Sequence, residues 1–163
     1  MSISSSLNSV DPRPRAARVR AYSSGLTIST INYTQGDTLG TQLTFSGVTR
    51  YSGAGGTIAS ASLVDKSNSI GAVDLHLFSQ PATPTLDNSQ AGFADADMDH
   101  YVGTISFPAP IQFTNSQAVS LPAVGLTFIA DSQNLYGYLV TLTNHTYFNS
   151  VDDILISLVV YQY

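Results

Sequence analysis

From Arg18 onward the chain alternates apolar and polar residues with a period of two. Leu75 and Leu77, for instance, flank His76, so the His side chain points away from the two leucines, to solvent or an interface. This pattern predicts strands near 18–23, 26–33, 42–49, 57–65, 73–79, 101–107, 110–113, 117–121, 125–130, 135–143 and 153–162. Gln35-Gly36-Asp37, Ser46-Gly47, Gly53-Ala54-Gly55-Gly56, Lys66-Ser67-Asn68 and Thr143-Asn144-His145 supply the turn chemistry between them. Short strands, Gly/Asn turns and no long amphipathic helix predict an all-β, antiparallel β-sandwich or jelly-roll-like single domain over residues 17–163. The last strand, Asp153 to Tyr163, is nearly all Ile, Leu and Val. Both its faces are expected to be covered, as in a central strand or one completed by another chain.

The connection between the strands at 73–79 and 101–107 is long and rich in Pro, Thr, Asp and Asn. Long ordered loops in compact domains are usually functional. Asp95, Asp97 and Asp99 open like a calcium loop. The match fails at His100, where the sharp turn needs Gly, and the chain contains no Glu to close such a site. Asp95 is therefore expected to cap a one-turn helix, Ala96 to His100, with Asp97 in its first turn. The segment Gln80–Gly92, with Pro81, Pro84, Asp87 and Asn88, then reads as a protein-contact element.

Composition narrows the function classes. The 163 residues suffice for one core. Charged residues make up 10% of the chain, with a single Lys (Lys66) and a net charge of −5. That balance argues against nucleic acid as the main partner. With no Cys, disulfides and thiolate metal sites are excluded. No secretory h-region and no membrane-length apolar run is present, so a product made in a host cytoplasm, with no membrane partner, is expected.

Residues 1–16 stand apart: Ser-rich, then Asp11-Pro12-Arg13-Pro14-Arg15. The two prolines favour an extended path. Arg13, Arg15, Arg18 and Arg20, at its end and just beyond it, place four of the six basic residues within eight positions. Ordering about fifteen such residues costs on the order of 15–30 kcal/mol of backbone entropy. Two readings follow, a frayed terminus or an arm that crosses onto a neighbouring subunit. Nine tyrosines suit an interface. Tyr136 and Tyr138 share one face of a strand, and Gly137 admits close approach from the other.

Enzymatic signatures are missing. There is no G-x-S-x-G elbow and no P-loop, and His76, His100 and His145 lie far apart in sequence. No catalytic residue, cofactor or metal is expected.

Several signatures in order resemble those of a family of tailed-phage virion proteins. They are Tyr33-x-x-Gly36-Asp37-x-x-Gly40, Leu75-His76-Leu77-Phe78, Pro81 to Asn88, Asp97-x-x-x-Tyr101-x-Gly103 and Leu135-Tyr136-Gly137-Tyr138-Leu139-Val140. The resemblance spans residues 33–140 and implies a head structural protein of the decoration or cement kind. Such a protein sits on the major capsid protein at the virion surface and is expected to be a homo-oligomer, preferably a trimer. Two further readings compete with it: a carbohydrate-binding β-sandwich, as a lectin or host-adsorption module, and a small jelly-roll coat protein whose arm contacts the genome.

Overall fold

The computed structural model describes residues 16–83, 86–145, 150 and 152–163. Arg13 and Arg15, with the rest of the N-terminal segment to residue 15, and Pro84 lie outside the described residues. The elements in chain order are β1 (Ala17–Ser24), β2 (Thr38–Phe45), β3 (Gly55–Asp65), β4 (Val73–Phe78), α1 (Asp95–Met98), β5 (Tyr101–Phe107), β6 (Ile111–Gln112), β7 (Gln117–Leu121), β8 (Leu126–Ile129), β9 (Leu135–Thr141) and β10 (Ile154–Gln162).

Every strand pairing is antiparallel, and the pairings are nested. β1 pairs with β10, β2 with β9, β3 with β7 and β8, and β4 with β5. The chain is thus one long hairpin that has been rolled up. Rolling brings β10 against β3 and β4 against β9, which sets two sheets, β1-β10-β3-β7/β8 and β2-β9-β4-β5. β1 belongs to both: Ala17–Tyr22 pair with β10, and Ser23 and Ser24 with β2. This is jelly-roll connectivity. The alternation read from the sequence fills the space between the sheets: Leu75 and Leu77 of β4, Leu39 and Leu43 of β2, Ile58 and Leu63 of β3, and Ile156 and Leu158 of β10 join one buried cluster.

One buried carboxylate belongs to this interior. Asp65, at the inward-facing end of β3, is fully buried and accepts from Ser67 N, Ser69 N, Ile70 N and Gln117 Nε2 at 2.7–2.8 Å. Burial pushes its pKa up, but the hydrogen bonds outweigh burial and hold it below the usual carboxylate value.

Four expectations are corrected. Residues 26–33 do not form a strand, because side chains take their backbone groups. Thr27 N donates to Thr41 Oγ1 (2.9 Å), and Ser29 N to Tyr33 Oη (2.8 Å) and Asp87 Oδ2 (3.1 Å). β2 begins at Thr38 rather than 42, with a register irregularity between Leu39 and Leu43 where Gly40 takes φ 75°. Asp95 is not a cap: α1 starts on it, Ala94 is the N-cap residue, and no side-chain cap bond forms. Finally, β10 is central and its inner face is covered; on its outer face Ser157 and Val159 are buried as expected, at 7% and 5% exposure, whereas Leu155 and Tyr161 towards its two ends are 37% and 42% exposed.

Candidate functional site

The molecule has two outer sheet faces, and the long loop treats them unequally. Residues 79–83 and 86–100 fold back over the outer face of β2-β9-β4-β5. Asp87 is the clasp. Its carboxylate accepts from Tyr33 Oη (2.6 Å), Gly40 N (2.6 Å) and Ser29 N (3.1 Å), and from the Ser29 hydroxyl. Burial first, and the bond to Asp87 second, push the Tyr33 hydroxyl well above its ordinary pKa. Backbone bonds extend the seam: Asn88 N to Thr38 O (2.9 Å), Thr38 N to Ser89 O (2.8 Å) and Ala91 N to Gly36 O (2.8 Å). Asn88 takes φ 57°, a left-handed turn position that Asn tolerates well.

Phe93 completes the cover. Its ring centroid lies 4.9 Å from that of Phe78, 5.6 Å from His76 and 5.7 Å from Tyr138, and Phe78 in turn lies 5.3 Å from Tyr101. Burial lowers the His76 pKa, and its Nδ1 is 3.2 Å from both Tyr101 Oη and Thr104 Oγ1. Tyr138 is 1% exposed. Its hydroxyl, 2.5 Å from Ala82 O and 2.7 Å from Gln42 Oε1, ties the start of the loop to the sheet. Burial raises its pKa to about 12. On the other side of β9, a Cβ on Gly137 would meet Leu75 Cδ1 at 2.8 Å and Phe45 Cε2 at 3.1 Å, so any larger residue here must displace the Leu75 side chain and press on the Phe45 ring. Tyr136, one residue before it, is half-buried.

Of the contact residues expected from sequence, then, Asp87, Asn88 and Tyr138 are brought together here by bonds within the chain. Pro81 is exposed at the loop's start, and Arg18 and Arg20 are exposed on the opposite side of the sandwich. Sequence reading missed Phe93 and Tyr33. The aromatic Phe93 between two acidic stretches was the available signal for the first.

The second outer face, on β1-β10-β3-β7/β8, has no such cover among the described residues. Its side chains stand in rows across the sheet. Arg18 lies opposite Tyr161, and Tyr161 opposite Thr57. Arg20 lies opposite Val159, and Val159 opposite Ser60. Tyr22, Ser157, Ser62 and Ser120 form a third row, with the Ser157 and Ser62 hydroxyls 2.7 Å apart. Tyr22 is 54% and Ile129, on β8, 68% exposed. No Asp stands in these rows.

One Ser/His/Asp meeting exists. Ser79 Oγ donates to Asp131 Oδ2 (2.6 Å), and His100 Nδ1 lies 3.4 Å from the same oxygen. The carboxylate sits between Ser and His, so the serine hydroxyl faces an acid and not the imidazole base that nucleophilic attack requires. Beside it, Asp99, Tyr101, Thr127 and Phe128 help line an open groove of about 420 Å³ between β5 and β8. Among the described residues no three His, Asp, Glu or Cys side chains group as a metal site.

No family model matches the chain, and no curated protein does. Among solved structures it is similar to a chain of sacbrood virus of honeybee, at 12% identity over 99% of this chain and 74% of that one, with a TM-score of 0.29. It is also similar to a chain of the Israeli acute paralysis virus full particle heated to 63 degrees, at 11% identity over 100% and 79%, TM-score 0.27. A chain of the native Kashmir bee virus virion at acidic pH gives 13% identity over 99% and 79%, TM-score 0.28. At such TM-scores the likeness carries no argument of its own; the fold rests on the nested strand pairing.

Proposed function

We propose that the chain is a non-enzymatic virion structural protein. In the finer reading it is a decoration or cement protein that binds the major capsid protein on the outer surface of a shell and stabilises it. The observation that supports this most is the unequal use of the two sheet faces within a jelly roll. The loop that could have built a ligand site is spent on closing one face, and the other face is left as a broad Tyr/Ser/Thr/Arg surface. Jelly rolls recur in capsid proteins, lectins and cupins, so the architecture alone is an analogy. The tailed-phage setting rests on the sequence signatures between residues 33 and 140. A clamp of this kind needs area and valency and not a reactive group, because contacts repeated over an oligomer multiply by avidity. A homotrimer suits the threefold points of a shell.

The test is sedimentation of the purified chain with expanded, empty capsids of the virus that encodes it. The reading expects stoichiometric occupancy and a higher capsid disassembly temperature. A chain that stays in the supernatant overturns it. A chain that closes into shells alone makes it the coat protein itself. Reproducible hits on a glycan array, lost on mutating the groove residues Asp99 and Tyr101, would replace the cement reading with a lectin.

A further inference from the structure

The bare face is chemically one-sided. Arg18 and Arg20 are both exposed, and among the described residues neither forms an ion pair. With Val19 and Val159 they line a cleft of about 210 Å³. Around them stand hydroxyls and half-exposed tyrosines, and among the described residues no carboxylate is paired with either guanidinium group.

The covering loop on the opposite side has the reverse sign. Residues 74–107 contain Asp74, Asp87, Asp95, Asp97 and Asp99 and no Lys or Arg. Asp87 and Asp97 are engaged within the chain, the latter by Thr83 N at 2.9 Å. Asp95 and Asp99 are exposed. They bracket α1, and Asp99 keeps helical angles (φ −64°, ψ −21°), so the two carboxylates are an i, i+4 pair on one helical face.

The spacings match. Arg18 and Arg20 are two apart on one strand face, about 6.6 Å along the strand. An i, i+4 pair on a helix is separated by about 5–6 Å at Cβ. Arg18 and Arg20 are carried on a strand paired with β10, so little backbone freedom is lost there on meeting.

We propose that the outer face of β1-β10-β3 is the docking surface for a second copy of this chain, with Arg18 and Arg20 of one copy meeting Asp95 and Asp99 of the next. Neither arginine is bonded to Asp95 or Asp99 within the chain, so each pair is left for another copy. The contact is heterologous: it either closes into a ring, a homotrimer if it closes at three copies, or propagates. Tyr22 and Tyr161 beside the arginines become the apolar part of the contact, as tyrosines at interfaces commonly do.

Charge exchange tests this in the absence of any capsid, so its failure is separable from failure of the shell-binding reading. Sedimentation velocity at about 100 μM, where weak encounters are populated, should show self-association at low salt that weakens as salt screens the pairs. R18D/R20D and D95R/D99R should each associate at least tenfold more weakly than the natural chain while keeping its melting temperature, since all four side chains are exposed. An equimolar mixture of the two variants should recover pairwise association, because the reversed arginine face now meets the reversed helix in alternating copies, although an odd-membered ring cannot close from such alternation. A natural chain that is monomeric under these conditions overturns the proposal. So does association indifferent to both reversals, or a mixture that fails to recover.

Discussion

The two outer faces of this sandwich are built from the same strand alternation, and they end in opposite conditions. Over β2-β9-β4-β5, Asp87 and Phe93 draw the chain's own loop down and close the face. Over β1-β10-β3-β7/β8, Tyr22, Tyr161 and Ile129 remain 42–68% exposed. The difference teaches where the chain has spent its polar groups. The Asp87 carboxylate satisfies donors from two segments 47 to 58 residues away, so the covered face is an internal joint. The arginines of the bare face have no such internal partner among the described residues, so that face is available to another molecule.

The largest break in this comparison comes from Asp87→Ala. It strands Tyr33 Oη, Gly40 N and the Ser29 donors, and should cost about 3 kcal/mol or more, given about 1–3 kcal/mol for each buried donor left unpaired. Denaturant unfolding checks the size, and limited proteolysis should find new cleavage within residues 80–92. Unchanged stability with an uncleaved loop would mean that Asp87 is not the clasp. Phe93→Ala comes next. Removing a half-buried ring from contact with Phe78, His76 and Tyr138 should cost about 2 kcal/mol, measured in the same assay.

Acid sharpens the contrast further. Burial lowers the pKa of His145, which is 3% exposed and accepts Gly71 N at Nδ1 (2.7 Å). The unfolded chain therefore binds its proton first, and stability falls as pH drops below the ordinary histidine value of about 6.5. Asp65 has the depressed carboxylate pKa, so its contribution is present above about 3.9 and is lost as pH falls through its lower folded value. Both groups lie in the body. Half-buried His76 has a pKa lowered by the same cause and contributes in the same window. Chemical denaturation from pH 8 to 3 should show two successive losses, and His145→Gln should reduce the first, leaving the share due to His76. The bare face holds only Arg, Tyr, hydroxyl and apolar groups, none of which titrates in that range. The smallest effect is expected there: Tyr22→Ser should change the stability of the isolated chain by no more than about 0.5 kcal/mol.

The strands were legible because a two-residue period is local. β7 and β5 run over the residues that the alternation predicts, Gln117–Leu121 and Tyr101–Phe107. Leu26 to Tyr33 carries the same alternation and Ile28 is buried, yet its backbone bonds go to Thr41, Tyr33 and Asp87 side chains, which no local pattern encodes. The acids illustrate the same limit. Asp95, Asp97 and Asp99 stand out as a motif but make few internal bonds, whereas Asp87, inconspicuous among Pro, Thr and Asn, holds the loop. Its partners are brought to it only by the rolled hairpin. Phe93 is similar: its neighbours come from β4 and β9, and the spacing of neither strand announces them.

The central claim is that the bare face is where this chain meets other protein, and hydroxyl-radical footprinting of its tyrosines tests it most directly. Reactivity is read in the dilute free chain and again on capsid-bound particles. The account predicts that Tyr22 and Tyr161 are reactive in the free chain and become protected on the particle, while Tyr33 and Tyr138, each 1% exposed, are unreactive in both. Tyr22 and Tyr161 that stay as reactive on the particle as in solution would contradict it.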